Sequence, residues 1–309
     1  MKITFMGAGS TVFAKNVLGD VMTCENLCES EICLYDIDGA RLQESYMMLD
    51  NINRNCNKGR ASLKTYLGVE NRKEALRGAD FVVNAIQVGG YEPSTVIDFE
   101  IPKKYGLRQT IADTLGIGGI MRTLRTIPVL EDFAREMEEV CPNAWFLNYT
   151  NPMAMLTGYM LRYTGVKTVG LCHSVQVCSE HLLESLDMKE FLEGRRELIA
   201  GINHMAWLLE IRDKNGNDLY PEIRRRALQK NDTEQHNDMV RFEYIRRLGY
   251  YCTESSEHNA EYNPFFIKSK YPELIDRYQI PLDEYPRRCI HQIEDWTQRR
   301  DELVHNTAL

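Results

Sequence analysis

The chain has 309 residues, of which 43% are hydrophobic and 27% are charged, a balance typical of globular proteins and unlike that of disordered or collagen-like chains. This length predicts two domains, and no apolar run approaches the roughly 18 residues that would span a bilayer. A formal net charge of −8 would repel phosphate backbones, so we expect no nucleic-acid partner. Nine scattered cysteines and the absence of an export signal indicate reduced thiols and a cytoplasmic protein.

The first predicted elements are a strand, a tight turn and a helix. Lys2–Met6 is a short apolar run, and Gly7 and Gly9 follow it directly. This order brings backbone N–H groups and the positive end of a helix against a pyrophosphate. Ser10 and Thr11 continue the turn, although the third glycine of the usual fingerprint is missing. We interpret these four turn residues as nucleotide-binding; the alternative is a merely structural glycine turn.

The second predicted strand, Ile32–Tyr35, ends at Asp36. A carboxylate there can accept hydrogen bonds from both ribose hydroxyls and repel a 2′-phosphate, which favours NAD over NADP. The alternative is an ordinary turn aspartate. A third buried strand is predicted at Asp80–Ile86, and Asn84 near its end is included in the predicted cofactor site.

Strands and helices continue to alternate beyond this point, which predicts right-handed crossovers and a Rossmann-like α/β fold with a parallel sheet. The ligand crevice is expected at the carboxyl ends of the strands. We place a domain boundary near residue 170, with an NAD-binding domain at 1–170 and an α+β metal and substrate domain at 171–309, whose residues look mainly helical. The further predicted elements are a helix at Ile117–Val140 and strands at Ala144–Leu147, Lys167–Leu171 and Trp207–Ile211.

Polar segments at strand ends carry the predicted chemistry. A thiolate and a neutral imidazole suit a borderline divalent metal, so Cys172 and His204 are predicted metal ligands that leave positions open for substrate hydroxyls. Either residue alone is more often a buried core residue. His173 is predicted to exchange a proton with a substrate oxygen, because histidine titrates near neutral pH. The amide of Asn151 is predicted to orient a substrate hydroxyl.

The sequence around these residues closely resembles glycoside hydrolase family 4. The likeness runs from Lys2 to about Arg288 and implies a lactate-dehydrogenase-like fold, bound NAD, and a divalent metal, usually manganese, held by Cys172 and His204. His173 stands where members that cleave phosphorylated sugars carry an acidic or amide residue, so an unphosphorylated α-galactoside is the implied substrate. The segments that carry the resemblance are ADTLGIGGIMRTLRTIP, LNYTNPMAM, GLCHSVQ, AGINHMAW and TESSEHNAEYNPFF.

The resemblance also implies an unusual reaction cycle. NAD removes hydride from C3 of the sugar, a base takes the C2 proton, the C1 leaving group is eliminated, water adds at C1, and hydride returns to C3. His173 matches the acid near the glycosidic oxygen, and Tyr262 matches the C2 base, with His258 as a substitute. Asp113 is expected to close over the sugar and nicotinamide. Arg288 is expected to reach the substrate; the alternative is a solvated helix face.

Other functions share parts of this pattern. A dehydrogenase of 2-hydroxy acids would need no metal, and a sensor that binds NAD without catalysis would need no catalytic residues. Within the family, an α-galacturonidase and an inactive truncated NAD-binding relative remain open. The resemblance also implies a homo-oligomer. Relatives continue beyond the position of Leu309, so we expect this chain to bind NAD, to hydrolyse α-galactosides poorly or not at all, and to associate through exposed apolar surface.

Overall fold

The computed structural model describes residues 1–305, apart from the side chains of Thr11, Arg299 and Leu303. The described chain forms two compact units. Unit 1 contains Met1–Gly90, Thr123–Leu171 and residues 289–305, and unit 2 contains Tyr91–Arg122 and Cys172–Arg288. The assignment of 1–170 to NAD binding and of 171–309 to metal and substrate binding stays a prediction.

Unit 1 is built on a six-stranded parallel sheet with the order β3-β2-β1-β4-β5-β6. This is the doubly wound order, in which the direction of winding reverses between β1 and β4, and it confirms the predicted fold class. The strands are β1 (Lys2–Met6), β2 (Glu31–Asp36), β3 (Ser62–Leu67), β4 (Phe81–Asn84), β5 (Trp145–Asn148) and β6 (Lys167–Gly170).

Helices connect these strands and cover the sheet. The long helix predicted from apolar periodicity is present with the predicted bounds, and it buries Leu130, Phe133 and Met137 in the core of unit 1. The helices are α1 (Thr11–Thr23), α2 (Gly39–Asn57), α3 (Arg72–Leu76), α4 (Val96–Lys104), α5 (Ile117–Val140), α6 (Met153–Tyr163), α7 (Ser174–Ser185), α8 (Tyr220–Thr233), α9 (Met239–Leu248), α10 (Ser256–Glu261), α11 (Glu273–Arg277) and α12 (Glu284–His305).

Unit 2 contains a smaller antiparallel sheet in the order β7-β8-β9, together with several of the later helices. This confirms the predicted second α+β region. Its core includes Leu208, Phe242 and Tyr251, all of them fully buried. The strands are β7 (Arg196–Ile202), β8 (Met205–Arg212) and β9 (Tyr251–Cys252). The hairpin between β7 and β8 turns at residues 203–204, which places His204 at a strand end.

The long charged helix α12 has a partly apolar surface. Ile290 and Ile293 expose 45% and 48% of their surface, while Val304 is buried and its carbonyl accepts a hydrogen bond from Asn51. None of the helices within residues 1–305 is both long enough and apolar enough to cross a membrane.

Candidate functional site

The turn after β1 has no space for side chains at its two glycines. Gly7 has a φ of +86°, and a Cβ on it would lie 2.7 Å from the carbonyl oxygen of Ala85. A Cβ on Gly9 would lie 2.8 Å from Oδ2 of Asp36, an atom that accepts a 2.6 Å hydrogen bond from the Gly9 N–H. Side chains are therefore excluded from both positions, and the turn presents bare backbone beside one carboxylate.

Asp36 holds this turn from the end of β2. Its Oδ1 accepts a hydrogen bond from the Asp38 N–H at 2.9 Å, so each carboxylate oxygen has one backbone donor. A carboxylate has about four acceptor positions, which leaves capacity for ribose hydroxyls. Ser10 is exposed immediately before α1, and Thr11 begins α1, although its side chain lies outside the described part of the structure.

Asn84 lies at the end of β4 and is fully buried. Its Nδ2 donates to Oδ1 of Asn148 at 2.9 Å and to Oγ1 of Thr150 at 3.1 Å. Its Oδ1 is buried without a hydrogen-bond partner among the described residues. Asn151 directly follows Thr150. Its Oδ1 accepts a hydrogen bond at 3.2 Å from the N–H of Met153, the first residue of α6. The cofactor role of Asn84 and the substrate role of Asn151 stay predictions.

Unit 2 brings the two predicted metal ligands together. Cys172 follows β6 and His204 lies in the β7–β8 turn, yet both contribute ligand atoms to one group in which Glu254, just after β9, is the third member. All ligand atoms of this group lie within 4.8 Å of one another, and Nε2 of His204 is 3.8 Å from Oε2 of Glu254. A thiol, an imidazole and a carboxylate form a donor set that suits a borderline divalent cation.

The other ring nitrogen of His204 faces a different set of polar groups. Nδ1 lies 3.0 Å from Oγ1 of Thr114, 3.2 Å from the hydroxyl of Tyr262 and 3.6 Å from Oδ2 of Asp113. The Tyr262 hydroxyl donates to Oδ1 of Asp113 at 2.7 Å. A carboxylate beside one nitrogen of a metal-binding histidine fixes the ring and aims the other nitrogen.

His258 completes this face of the cluster. Its Nε2 is 3.9 Å from Oδ2 of Asp113, its Nδ1 is 2.6 Å from Oγ of Ser255, and its ring centroid lies 5.3 Å from that of His204. Asp113, His204 and His258 are all buried and form a second group with ligand atoms within 4.8 Å of one another. The structure thus places both base candidates, Tyr262 and His258, against the same carboxylate.

Neighbouring groups, more than burial, set the charges at His204 and Asp113. Burial works to raise the pKa of Asp113, but His204 and His258 outweigh it and hold this pKa far below its usual value. Burial works to lower the pKa of His204, but Asp113 and Cys172 raise it to about 10. Burial also opposes ionisation of the Cys172 thiol, yet contact with His204 lowers its pKa. The cluster therefore favours a positive charge at its centre.

Burial has the larger effect at the two base candidates. It lowers the pKa of His258, which favours the neutral imidazole. Burial and the adjacent Asp113 carboxylate raise the pKa of Tyr262 well above its usual value, which favours the neutral phenol. Of the two candidates, the His258 imidazole is therefore the better proton acceptor in this arrangement.

Two further predicted site residues are exposed on unit 2. His173 is exposed at the residue before α7, next to Cys172. Arg288 donates to Oε1 of Glu257 and, at 3.0 Å, to Oε1 of Glu284, so it forms one ion pair with α10 and one within α12. The acid role of His173 and the substrate role of Arg288 stay predictions.

Sequence reasoning missed Glu254 and Thr114. Glu254 lies within the segment TESSEHNAEYNPFF, but its place beside His204 depends on the pairing of β9 with β8, which a two-residue strand does not signal. Thr114 lies beside Asp113 and has a φ of +41°, which is unusual for a β-branched residue and is seen chiefly at functional sites. The only signal that the sequence offered for Glu254 was an acidic residue four positions before His258.

Comparison with protein families gives two matches along the chain. The description "Family 4 glycosyl hydrolase" matches residues 2–188, and "Family 4 glycosyl hydrolase C-terminal domain" matches residues 199–308. An α-galactosidase of Bacillus subtilis is 65% identical over 308 residues, which cover 100% of this chain and 69% of that protein. An α-galactosidase of Rhizobium meliloti is 36% identical over 90% of this chain and 55% of its own length.

An α-galacturonidase of Thermoanaerobacter italicus is 30% identical over 98% of the chain and 67% of its own length. The chain thus spans from 55% to 69% of the length of these three curated relatives.

Solved structures share the fold. The lplD protein of Bacillus subtilis has a TM-score of 0.83 at 25% identity and covers 99% of this chain and 72% of its own. A 6-phospho-β-glucosidase of Thermotoga maritima, solved with manganese, NAD+ and glucose-6-phosphate, has a TM-score of 0.72 at 20% identity over 100% of this chain and 69% of its own. A malate dehydrogenase of Picrophilus torridus has a TM-score of 0.52 at 11% identity over 96% of this chain and 75% of its own. These likenesses agree with the predicted dehydrogenase-like architecture.

Proposed function

The chain belongs to the family 4 glycosyl hydrolases, and from that premise we propose that it acts as an NAD- and divalent-metal-dependent α-galactosidase, which cleaves its glycoside by oxidation and elimination. The observation that carries the proposal is the convergence of Cys172, His204 and Glu254 on one point in unit 2. The choice of an α-galactoside is supported by 65% identity to the Bacillus subtilis α-galactosidase, against 30% to the α-galacturonidase.

The residues of unit 1 fit NAD. Gly7 and Gly9 leave a cradle that a Cβ would fill, and a pyrophosphate needs such a bare turn before a helix. Asp36 has acceptor capacity for ribose hydroxyls and a charge that disfavours a 2′-phosphate. The unsatisfied Oδ1 of Asn84 is a further acceptor at the end of β4.

The residues of unit 2 fit a divalent metal. Cys172, His204 and Glu254 would hold it, with manganese the expected ion because a Thermotoga maritima relative in fold was solved with manganese and NAD+. When bound, NAD supplies a hydride acceptor and donor, and the metal supplies a Lewis acid for sugar oxygens.

The chain's own residues divide the remaining work. Asp113 and Thr114 hold the Nδ1 side of His204, which keeps its Nε2 directed toward Glu254. Tyr262 and His258 are the two candidates for the C2 base: the Tyr262 hydroxyl donates a hydrogen bond to Asp113 and its raised pKa favours the neutral phenol, whereas the lowered pKa of His258 favours the neutral imidazole. His173 is exposed and free to act on the glycosidic oxygen.

Hydrolysis of chromogenic substrates tests this proposal. We expect release from an α-galactoside only when Mn²⁺ and NAD are both present, and loss of activity with a chelator. Release from an α-galacturonide instead would replace the substrate assignment, and metal-independent oxidation of a 2-hydroxy acid would point to a dehydrogenase. Turnover in heavy water should leave deuterium at C2 of the released galactose, because the base exchanges its proton with solvent. Unlabelled product would exclude elimination.

Two substitutions separate the base candidates. If Tyr262 is the base, Tyr262→Phe abolishes C2 exchange while His258→Gln leaves it measurable, and the reverse result assigns His258. Both variants should retain Mn²⁺ binding, because neither side chain belongs to the group of Cys172, His204 and Glu254. The cytoplasmic location and the homo-oligomer stay predictions.

A further inference from the structure

We propose that Glu261 is a positioning residue of the metal centre: its carboxylate clamps the backbone of residues 110–113 and thereby places Asp113 against His204. This inference deepens the proposed function and rests on the metal site described there. Glu261 itself contacts neither His204 nor Cys172 in any described hydrogen bond or ion pair, so its effect must pass through the segment that it holds.

The clamp consists of several backbone donors on one carboxylate. Oε2 of Glu261 accepts from the N–H groups of Thr110 at 2.7 Å, Ile111 at 3.1 Å and Ala112 at 3.2 Å. The Asp113 N–H lies 3.5 Å from Oε1. Four successive N–H groups therefore face one side chain, which fixes the segment in place from the α10 side. Such a concave run of N–H groups needs acceptor oxygens when it is buried, as residues 110–113 are here.

The same segment is fixed from its other side by α5. A Cβ on Gly119 would lie 2.5 Å from the carbonyl carbon of Asp113 and 2.6 Å from the Thr114 nitrogen. The backbone of 112–114 therefore lies directly on the start of the helix. Ala112 and Thr114 both have positive φ values, +55° and +41°, which L side chains adopt only when surrounding contacts enforce them.

This enforced backbone conformation determines where the Asp113 side chain lies. It aims Asp113 at three groups at once: Nδ1 of His204 at 3.6 Å, the Tyr262 hydroxyl at 2.7 Å and Nε2 of His258 at 3.9 Å. Relaxation of the segment would withdraw the carboxylate from the histidine that carries the metal. Residues that orient a metal ligand typically change metal affinity by 10–100-fold when removed.

The experiment measures Mn²⁺ binding to the 309-residue chain with NAD present, by the electron paramagnetic resonance signal of free Mn²⁺. Glu261→Met removes the acceptor at similar volume, and we expect affinity to fall by about 10–100-fold. Glu261→Gln keeps a carbonyl oxygen in the position of Oε2 and should rescue most of the loss. The matched control is Glu243→Met, which removes another buried glutamate of unit 2, one paired with Arg246 and Arg247, and should leave Mn²⁺ affinity unchanged.

A double-mutant cycle separates positioning from general destabilisation. In an Asp113→Asn background, Glu261→Met should reduce affinity no further, because both changes remove the same constraint on His204. Additive losses, or equal losses in Glu243→Met, would overturn the proposal and make Glu261 a structural residue only.

A second variant covers the case in which Glu261→Met does not fold. Gly119→Ala displaces the same segment from the α5 side without removing a buried carboxylate, and it should also weaken Mn²⁺ binding. Unchanged affinity in a folded Gly119→Ala chain would overturn the proposal. Absence of Mn²⁺ binding by the unaltered chain would refute the metal centre of the proposed function, whereas binding that is equal in all variants would refute only the clamp.

Discussion

The glycine turn of unit 1 and the donor cluster of unit 2 are built in opposite ways. The turn consists of neighbouring residues and uses mainly backbone, with one carboxylate, Asp36, from the next strand. The cluster consists of side chains from segments far apart in the sequence, around Asp113, Cys172, His204 and Glu254. A site made of backbone groups tolerates substitution of its side chains, except at positions where a larger side chain would clash. A side-chain site depends on each ligand and on the groups that orient it.

The largest expected effect is at the cluster. Cys172→Ser replaces a thiol, whose pKa His204 lowers against the opposing effect of burial, with a hydroxyl that binds manganese weakly. Mn²⁺ affinity should fall by more than the roughly 10–100-fold typical of orienting residues, and hydrolysis should be lost. NAD affinity, measured by fluorescence titration, should be unchanged. Cys24→Ser, at an exposed cysteine of unit 1, is the matched control; retention of manganese dependence in Cys172→Ser would remove that residue from the metal site.

The next effect is at the turn. Gly9→Ala would place a methyl group 2.8 Å from Oδ2 of Asp36 and 3.0 Å from Cβ of Arg41, so the turn must open. We expect a loss of about 1–3 kcal/mol in unfolding free energy from overpacking, together with loss of NAD binding. Calorimetric titration with NAD measures the second effect. Normal NAD affinity in this variant would show that the cofactor does not use the turn.

A smaller effect is expected at the carboxylate that supports the turn. Asp36→Ala should weaken NAD by about 1–3 kcal/mol, because ribose hydroxyls and the Gly9 N–H lose their acceptor. Asp36→Asn keeps an acceptor for Gly9 and removes only the charge, so it should lose less NAD affinity and gain NADP affinity. If the two variants bind NAD as the unaltered chain does, the ribose lies elsewhere.

The smallest effect comes from a glycine with no such constraint. Gly158 lies within α6, and a Cβ there would meet nothing within 4 Å. Gly158→Ala should therefore stabilise the chain by about 0.5–1 kcal/mol in denaturant unfolding, with NAD and Mn²⁺ affinities unchanged. A destabilised variant would contradict the open space around this position and weaken the contrast with Gly9.

The same contrast explains what the sequence could predict. β1, α5 and the Gly7–Gly9 turn were predictable because their signals are local: an apolar run, a helical period and a glycine pair. β3 and β7 were missed because most of their side chains are exposed, so neither strand shows a buried apolar run. The predicted strand at Asp80–Ile86 is shorter in the structure, where it ends at Asn84, as the chain turns toward Gly89 and Gly90.

The candidate site was predictable only in part. Cys172 and His204 were identified as a pair through their types and strand-end positions, and the structure brings them within ligand distance. Glu254 and the clamp by Glu261 were not, because each depends on tertiary contacts that join residues about 50 to 150 positions apart. No local period encodes the identity of a partner at that separation.

The composition of unit 1 has a consequence for synthesis on the ribosome. Its sheet is complete once β6 has emerged, yet the last turns of α12 belong to the same unit, where Arg300 pairs with Glu44 and the Val304 carbonyl accepts from Asn51. Those turns are translated after every residue of unit 2. The contacts of Glu44 and Asn51 on α2 with α12 therefore form only after more than a hundred later residues have been made, so unit 1 completes its packing last.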